Sequence, residues 1–327
     1  MKLSAADSEL LYLLESNADL SFKQLAKRAR CKEYTVRRAF HRFLSQGLIT
    51  GRAVYVNTMR LGLTDHALYF SLGPHSSKGE HPVIRALQLS PFVRWLADVG
   101  GVFDYSVTFL APSVGEVREF LDKVSTKYKN AFLGKQLALR TYMVRYPRRY
   151  LSNQRSWSSP FAMGQPEKLV TIDATDQAIL FRLSNGSFET DVRVAQAVGI
   201  SPSALTRRIA NLKEKEVLVG HTYRVNMGLL GYSSFRILLV MKRLGTDLRE
   251  RMVAFCQTHI AVRIMIESFG SWDYELELEL PHTRAIKQFT SALHDAFMNE
   301  IYTLQVIPIF QHLKYSGYPN GKYLTQA

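Results

Sequence analysis

Shifting the chain by 169 residues lays one half on the other without a gap, and nothing else in its 327 residues constrains the fold as strongly. Asp7 falls on Asp176, Leu11 on Leu180, Ala26 on Ala195, Arg38 on Arg207, Gly51 on Gly220 and Leu61-Gly62 on Leu230-Gly231. The register still holds at Gly101/Gly270, Asp104-Tyr105/Asp273-Tyr274, Pro112/Pro281 and Tyr146/Tyr315. So long a period is no solenoid repeat and reads as tandem duplication of a two-part unit. Residues 147–170, rich in Pro, Ser and Gly, read as the linker between copies. Fully extended, such a segment reaches about 80 Å, enough to join copies related by a rotation.

In the second copy, "IDATDQAILFRLS" sets Ile172, Ile179, Leu180 and Leu183 at helical spacing behind Asp173 as an N-cap. "TDVRVAQAVG" gives a short helix stopped by Gly199. "SPSALTRRIANLKEKE" begins a third helix, with Ser201 as N-cap and Pro202 in the first turn. "VLVGHTYRVN" reads as two short strands about Gly220, and three helices plus a hairpin make a winged helix-turn-helix. On the third helix Leu205, Ile209 and Leu212 form the buried stripe, which turns Ser203, Thr206, Arg207 and Asn211 to solvent with Arg208 at the margin. In the first copy Val36, Phe40 and Phe43 take the buried places, exposing Tyr34, Arg37, Arg38, His41 and Arg42. A helix of this width enters the DNA major groove, and guanidinium, hydroxyl and amide groups meet base edges or phosphates there. With Ser201, Arg52 and Arg224 at the flanks, these residues form the candidate DNA-binding set. Because the two helices differ, the expected target is asymmetric.

The charge distribution agrees. The net charge is +14, and residues 1–160 carry 24 Lys+Arg against 12 Asp+Glu, which leaves +2 for the remainder. Residues 21–60 hold ten basic residues and one acid, Glu33. A basic excess so concentrated points to a polyanion, best met by nucleic acid. A hydrophobic fraction of 46% is that of a soluble globular chain. No apolar run approaches the roughly 20 residues of a membrane helix, and "MKLSAADSELL" has no signal-peptide core. The expectation is a cytoplasmic protein with no membrane partner.

These residues resemble the Lrp/AsnC (feast/famine) family of transcriptional regulators. The match rests on the opening Asp176, Ile179/Leu180, Leu183 helix, on "VAQAVGISPSALTRRIANLKEKEVLVG" and on the following "VNMGLLGY". The first copy, "CKEYTVRRAFHRFLSQGLITG", matches more loosely and has Arg30-Cys31-Lys32 where the second has Gly199-Ile200-Ser201. The resemblance implies double-stranded DNA as partner, a small-molecule effector such as an amino acid, and assembly through paired units, here the two halves of one chain or a homo-oligomer.

After Gly231, "SSFRILLVMKRL", "DLRERMVAFCQTH", "AVRIMIESFGSWDYELELELP", "TRAIKQFTSALHDAFMNE" and "IYTLQVIPIFQHLKY" read in the order βαββαβ, the ferredoxin-like plan, and the first copy follows it. In the resembled family the turn between the second and third strands lies near the amino-acid site. That makes Gly101, Asp104, Gly270 and Asp273 the effector residues the resemblance implies. Along the third strand Glu275, Glu277 and Glu279 alternate with Tyr274, Leu276 and Leu278, so three carboxylates share one face and suggest pairing with the more basic half.

The expected fold class is therefore α+β, two copies of a winged helix-turn-helix followed by a ferredoxin-like domain. The boundaries are 1–62 and 63–146, the linker 147–170, then 171–231, 232–316 and a tail at 317–327. No phosphate loop, GxSxG elbow or metal cluster appears, and no cofactor is expected. Cys31 and Cys256 read as core residues, and His75 and His81 as surface-loop residues. The alternative is a siroheme decarboxylase-like enzyme, since those enzymes share the two-part unit. Their His-rich strand signature is missing from "VRWLADVGGVFDYSVTF" and "VRIMIESFGSWDYELEL", so the expectation is a protein without enzymatic activity.

Overall fold

The structure, a computed structural model, describes residues 1–73, 81–129, 131–153, 159–164, 168–185 and 188–318. His75 and the tail beyond residue 318 lie outside the described residues.

The first head is built by α1 (Ala5–Ser16), α2 (Phe22–Arg28) and α3 (Glu33–Ser45), followed by strand β1 (Ile49–Val56). Then come β2 (Thr64–Ser71), α4 (Pro82–Leu89), β3 (Val93–Val99), β4 (Tyr105–Ala111), α5 (Val114–Lys127) and β5 (Leu133–Arg145). A short strand β6 (Phe161–Gly164) precedes the second head, α6 (Ala174–Asn185), α7 (Asp191–Val198), α8 (Pro202–Glu214) and strand β7 (Leu218–Val225). The chain ends in β8 (Ser233–Met241), α9 (Thr246–Thr258), β9 (Val262–Gly270), β10 (Tyr274–Leu280), α10 (Ala285–Phe297) and β11 (Ile301–Tyr315). Each half thus runs through the same order of elements, with the βαββαβ plan after each head.

Local chemistry sets the helix ends. Ser21 and Gln24 form a reciprocal capping box on α2, and Thr190 caps α7, which stops at Gly199 with φ 79°. Asp173 accepts from the Asp176 N–H at 2.8 Å, and Ser201 from the Ala204 N–H at 3.2 Å. In the first head α3 has no side-chain cap, and Arg30 at φ 51° holds the left-handed place that Gly199 fills in the second. His81 caps α4 by accepting from the Val83 N–H at 3.2 Å.

The eight long strands close on themselves. The order β2-β4-β3-β11-β8-β10-β9-β5 returns to β2, all antiparallel, and β6 takes the edge of β5 that β2 leaves beyond Arg140. Both sheet edges of each ferredoxin-like half are thereby paired with the other half, β3 on β11 and β5 on β9, so none of these edges is left open. Inside the barrel Tyr69, Trp95, Phe103 and Ala138 pack with Leu238, Trp272 and Ile307, drawing on both halves. Outside, α4 and α5 cover one half and α9 and α10 the other.

Two sequence expectations change. The run about Gly220 is not a hairpin: β7 is one strand, paired antiparallel along its length with β1, Ala53 opposite Thr222. Gly220 is needed for close approach, since a Cβ there would lie 2.4 Å from the Phe161 ring. This ribbon also exchanges core between heads. Tyr223 and Val225 pack against the first head's core, while Val54 and Val56 pack into the second's. Residues 147–170, expected as a linker, carry buried structure as well. Arg148, 6% exposed, pairs with Glu279 at 2.7 Å and with Glu15, and Arg263 joins Glu15 at 2.9 Å. Sequence reading missed this because no local period marks a pair 131 residues apart.

Candidate nucleic-acid interface

The exposed faces of α3 and α8 carry most of the residues singled out by sequence. Val36, Phe40 and Phe43 are buried under α3, while Tyr34, Arg37, Arg38, His41 and Arg42 are exposed. On α8, Leu205 and Leu212 are buried and Ile209 half-buried; Ser201, Ser203, Thr206 and Arg207 are exposed, with Arg208 and Asn211 intermediate.

Exposure alone does not make a group available, so partners decide. Arg37 pairs with Glu33 one turn back at 2.7 Å and lies over the Phe22 ring. Arg42 pairs with Asp7 of α1. Thr206 Oγ1 donates to the Pro202 carbonyl at 3.0 Å, and Ser201 and Ser203 share a bond at 3.1 Å. Arg38 and Arg207, 169 positions apart, are the arginines of these two helices that no carboxylate neutralises among the described residues.

Three flanking residues depart from the sequence reading. Arg208 donates to Asp173 at 2.8 Å and to buried Asp176 at 2.9 Å, which ties α8 to the start of α6 and commits its guanidinium internally. Arg52 is half-buried on the ribbon, 3.9 Å from Asp191. Arg224 also sits on the ribbon, donating to the Ser184 carbonyl at 3.1 Å and lying over the Tyr315 ring.

The implied effector turns are occupied by backbone. Asp104 accepts from the Leu72 N–H at 3.1 Å and Asp273 from the Met241 N–H at 2.7 Å, so both carboxylates brace a neighbouring strand. Gly101 has φ 89°. Gly270 has φ 141°, and a Cβ there would lie 2.6 Å from the Leu137 carbonyl oxygen. Packing against β5 explains that glycine without a ligand.

Glu275, Glu277 and Glu279 face inward. Glu275 binds Arg140 of the other half and Arg236, Glu277 binds Arg236 at 2.6 Å, and Glu279 binds Arg148. Burial pushes the Glu275 carboxyl up, but the Arg140 and Arg236 charges outweigh it and hold it at about 2. Glu279 is held at about 2 in the same way by Arg148 and Arg263. His221, on β7, is pushed down to about 3 by burial and then by Arg52 and Lys213. Burial pushes the Cys256 thiol up and keeps it protonated. Cys31 packs against the first head's core.

Residues 172–219 match the family described as winged helix-turn-helix DNA-binding, so the second head is a domain of that class. The HTH-type transcriptional regulator LrpA of Pyrococcus horikoshii is 39% identical over 62 residues, which span 19% of this chain and 44% of that protein. Its counterpart in Pyrococcus abyssi is 36% identical over the same extent. Over the whole chain, the fold is similar to that of the siroheme decarboxylase NirDL, with TM-score 0.63 and 12% identity, covering 98% of this chain and 96% of that one. This overturns the expectation of a protein without enzymatic activity. The strands that lack the His-rich signature belong to a fold that a decarboxylase shares from end to end, so the missing motif does not exclude catalysis. Among the described residues no helix is long and apolar enough to cross a membrane.

Proposed function

We propose that the chain is a DNA-binding transcriptional regulator of the Lrp/AsnC type, acting as a one-chain pseudo-dimer that arose by tandem duplication and responds to a small molecule. In this reading the units are 1–62 with 63–146 and 171–231 with 232–316, joined through 147–170. The observation that carries it is the position of Arg38 and Arg207, related by the 169-residue shift, exposed on corresponding helices and left without an acidic partner among the described residues. The β1–β7 ribbon supports it by tying the two heads together, so that both helices approach one duplex as a unit. Tyr34, Arg37, His41, Ser203, Thr206 and Asn211 would complete the contact surface.

The test is salt dependence. If Arg38 meets phosphate, Arg38→Ala lowers the slope of log affinity against log salt by about 1. An unchanged slope for Arg38→Ala together with an unchanged affinity for Arg207→Ala removes both helices from the interface.

A second reading is favoured by the whole-chain likeness to siroheme decarboxylase NirDL, a protein also solved with an iron-uroporphyrin III analogue. In it, the chain handles a tetrapyrrole carrying carboxylates. Incubating the purified chain with siroheme and following carbon dioxide release tests it; no release, with DNA bound specifically, leaves the regulator.

A further inference from the structure

Between the β1–β7 ribbon and the barrel lies a cavity of about 790 Å³. Seven pairs of its lining residues are 169 positions apart, among them Tyr55 with Arg224, Ala53 with Thr222, and Met143 with His312. The cavity therefore straddles the axis relating the two halves, and a ligand there binds once per chain.

Six arginines line it, and four are neutralised. Arg94 pairs with Asp65 at 2.9 Å, Arg140 with Glu275 at 2.7 Å, Arg148 with Glu279 at 2.7 Å, and Arg236 with Glu275 and Glu277 at 2.5 and 2.6 Å. Arg145 and Arg224 differ. Among the described residues neither has a carboxylate within ion-pairing distance, and the Nε of each is buried without a hydrogen-bond acceptor. Aromatic faces flank them instead, Arg145 over Tyr55 at 4.7 Å and Arg224 over Tyr315 at 5.2 Å, and Arg224 commits one Nη2 donor to the Ser184 carbonyl at 3.1 Å. Both side chains are half-buried, and a buried Nε donor left orphaned is costly unless something supplies the acceptor. Met143, Met163, Ile264 and Ile266 form an apolar wall of the same space.

We propose that this cavity binds one apolar organic acid per chain, its anionic group held by Arg145 and Arg224 and its body laid against the methionine and isoleucine wall. The volume is that of a pocket for a medium-sized organic molecule. Arg145 ends β5 of the barrel and Arg224 lies on β7 of the ribbon, so the anion bridges the barrel to the strand that holds both heads. That the ligand acts as the regulator's effector rests on the proposed function; its binding does not.

The experiment uses the full chain with 8-anilinonaphthalene-1-sulfonate as fluorescent probe, displaced by decanoate or by decanol. Expected is one probe per chain, displaced by decanoate at concentrations at least tenfold below those of decanol. Arg145→Gln with Arg224→Gln should remove that preference, while Arg145→Lys keeps it. Equal displacement by acid and alcohol in the unsubstituted chain overturns the site, and that result needs no variant to fold. DNA affinity of the same preparations separates the two ideas. Acid preference without DNA binding leaves the site and removes the regulator; DNA binding without acid preference does the reverse.

Discussion

Arg140 of the first half and Glu275 of the second meet in a two-pronged ion pair inside the barrel, Nε to Oε1 at 2.8 Å and Nη2 to Oε2 at 2.7 Å, with Glu275 wholly shielded from solvent. The same guanidinium donates from Nη1 to Thr108 Oγ1 at 2.9 Å. Removing one partner of such a pair strands a buried charge, at a cost of about 3–5 kcal/mol. Arg140→Met should lower the unfolding free energy in urea by about 3 kcal/mol, because Arg236 still holds Glu275. A loss below about 1 kcal/mol would show that the halves do not lean on this pair.

Acid should destabilise the chain in two stages. His221 is buried with its folded value depressed from 6.5 to about 3, so its contribution is full above about pH 6.5 and erodes as the pH falls towards 3. Between pH 7 and pH 5 that amounts to about 2 kcal/mol. His66, buried on β2, is held down by burial and acts in the same direction. Glu275 and Glu279, depressed from 4.5 to about 2, contribute above about pH 4.5 and lose that contribution as the pH falls through 2. Urea midpoints across this range should fall from pH 6.5 downward, and His221→Asn should flatten the upper stage.

Adjacent arginines on α8 should separate function from stability. Arg207→Ala should weaken DNA binding by roughly 1–3 kcal/mol if it reads a base edge, with the melting temperature unchanged. Arg208→Ala should cost about 1 kcal/mol of stability, since it leaves buried Asp176 without its cation, the exposure of Arg208 moderating the loss. Calorimetry and fluorescence anisotropy on both variants read the two effects. The reverse pattern would exchange the roles assigned to them.

Arg30 holds a left-handed backbone that the matching Gly199 adopts without strain. Arg30→Gly should therefore raise stability by roughly 1 kcal/mol. A destabilised variant would mean that the Arg30 side chain supplies more than its backbone costs.

What the sequence made legible was everything governed by a local period. The stripes Leu205/Leu212 and Val36/Phe40/Phe43, the caps Asp173 and Ser201, and the strand and helix order of both βαββαβ segments follow from neighbours within one or two turns. Glycine misled: Gly220 looked like a turn, but its cause is the Phe161 ring, which belongs to another strand. The 147–170 segment looked like solvated linker because of its Pro, Ser and Gly, and the partners of Arg148, Glu15 and Glu279, lie far away in sequence. Alternation showed that Glu275, Glu277 and Glu279 share a face; Arg236 meets Glu277 across the adjacent strand, but that Arg140 meets Glu275 depends on closure of the barrel, which no single strand encodes. The Arg145/Arg224 cavity was unreadable for the same reason, since its walls come from both halves.

The most direct test of the central claim is selection of bound duplexes from a random pool by the full-length chain, with stoichiometry measured on the enriched sequence. Two different recognition helices on one chain predict a bipartite, non-palindromic site bound by a single chain. No enriched sequence, or a strict inverted repeat bound by two chains, would contradict it.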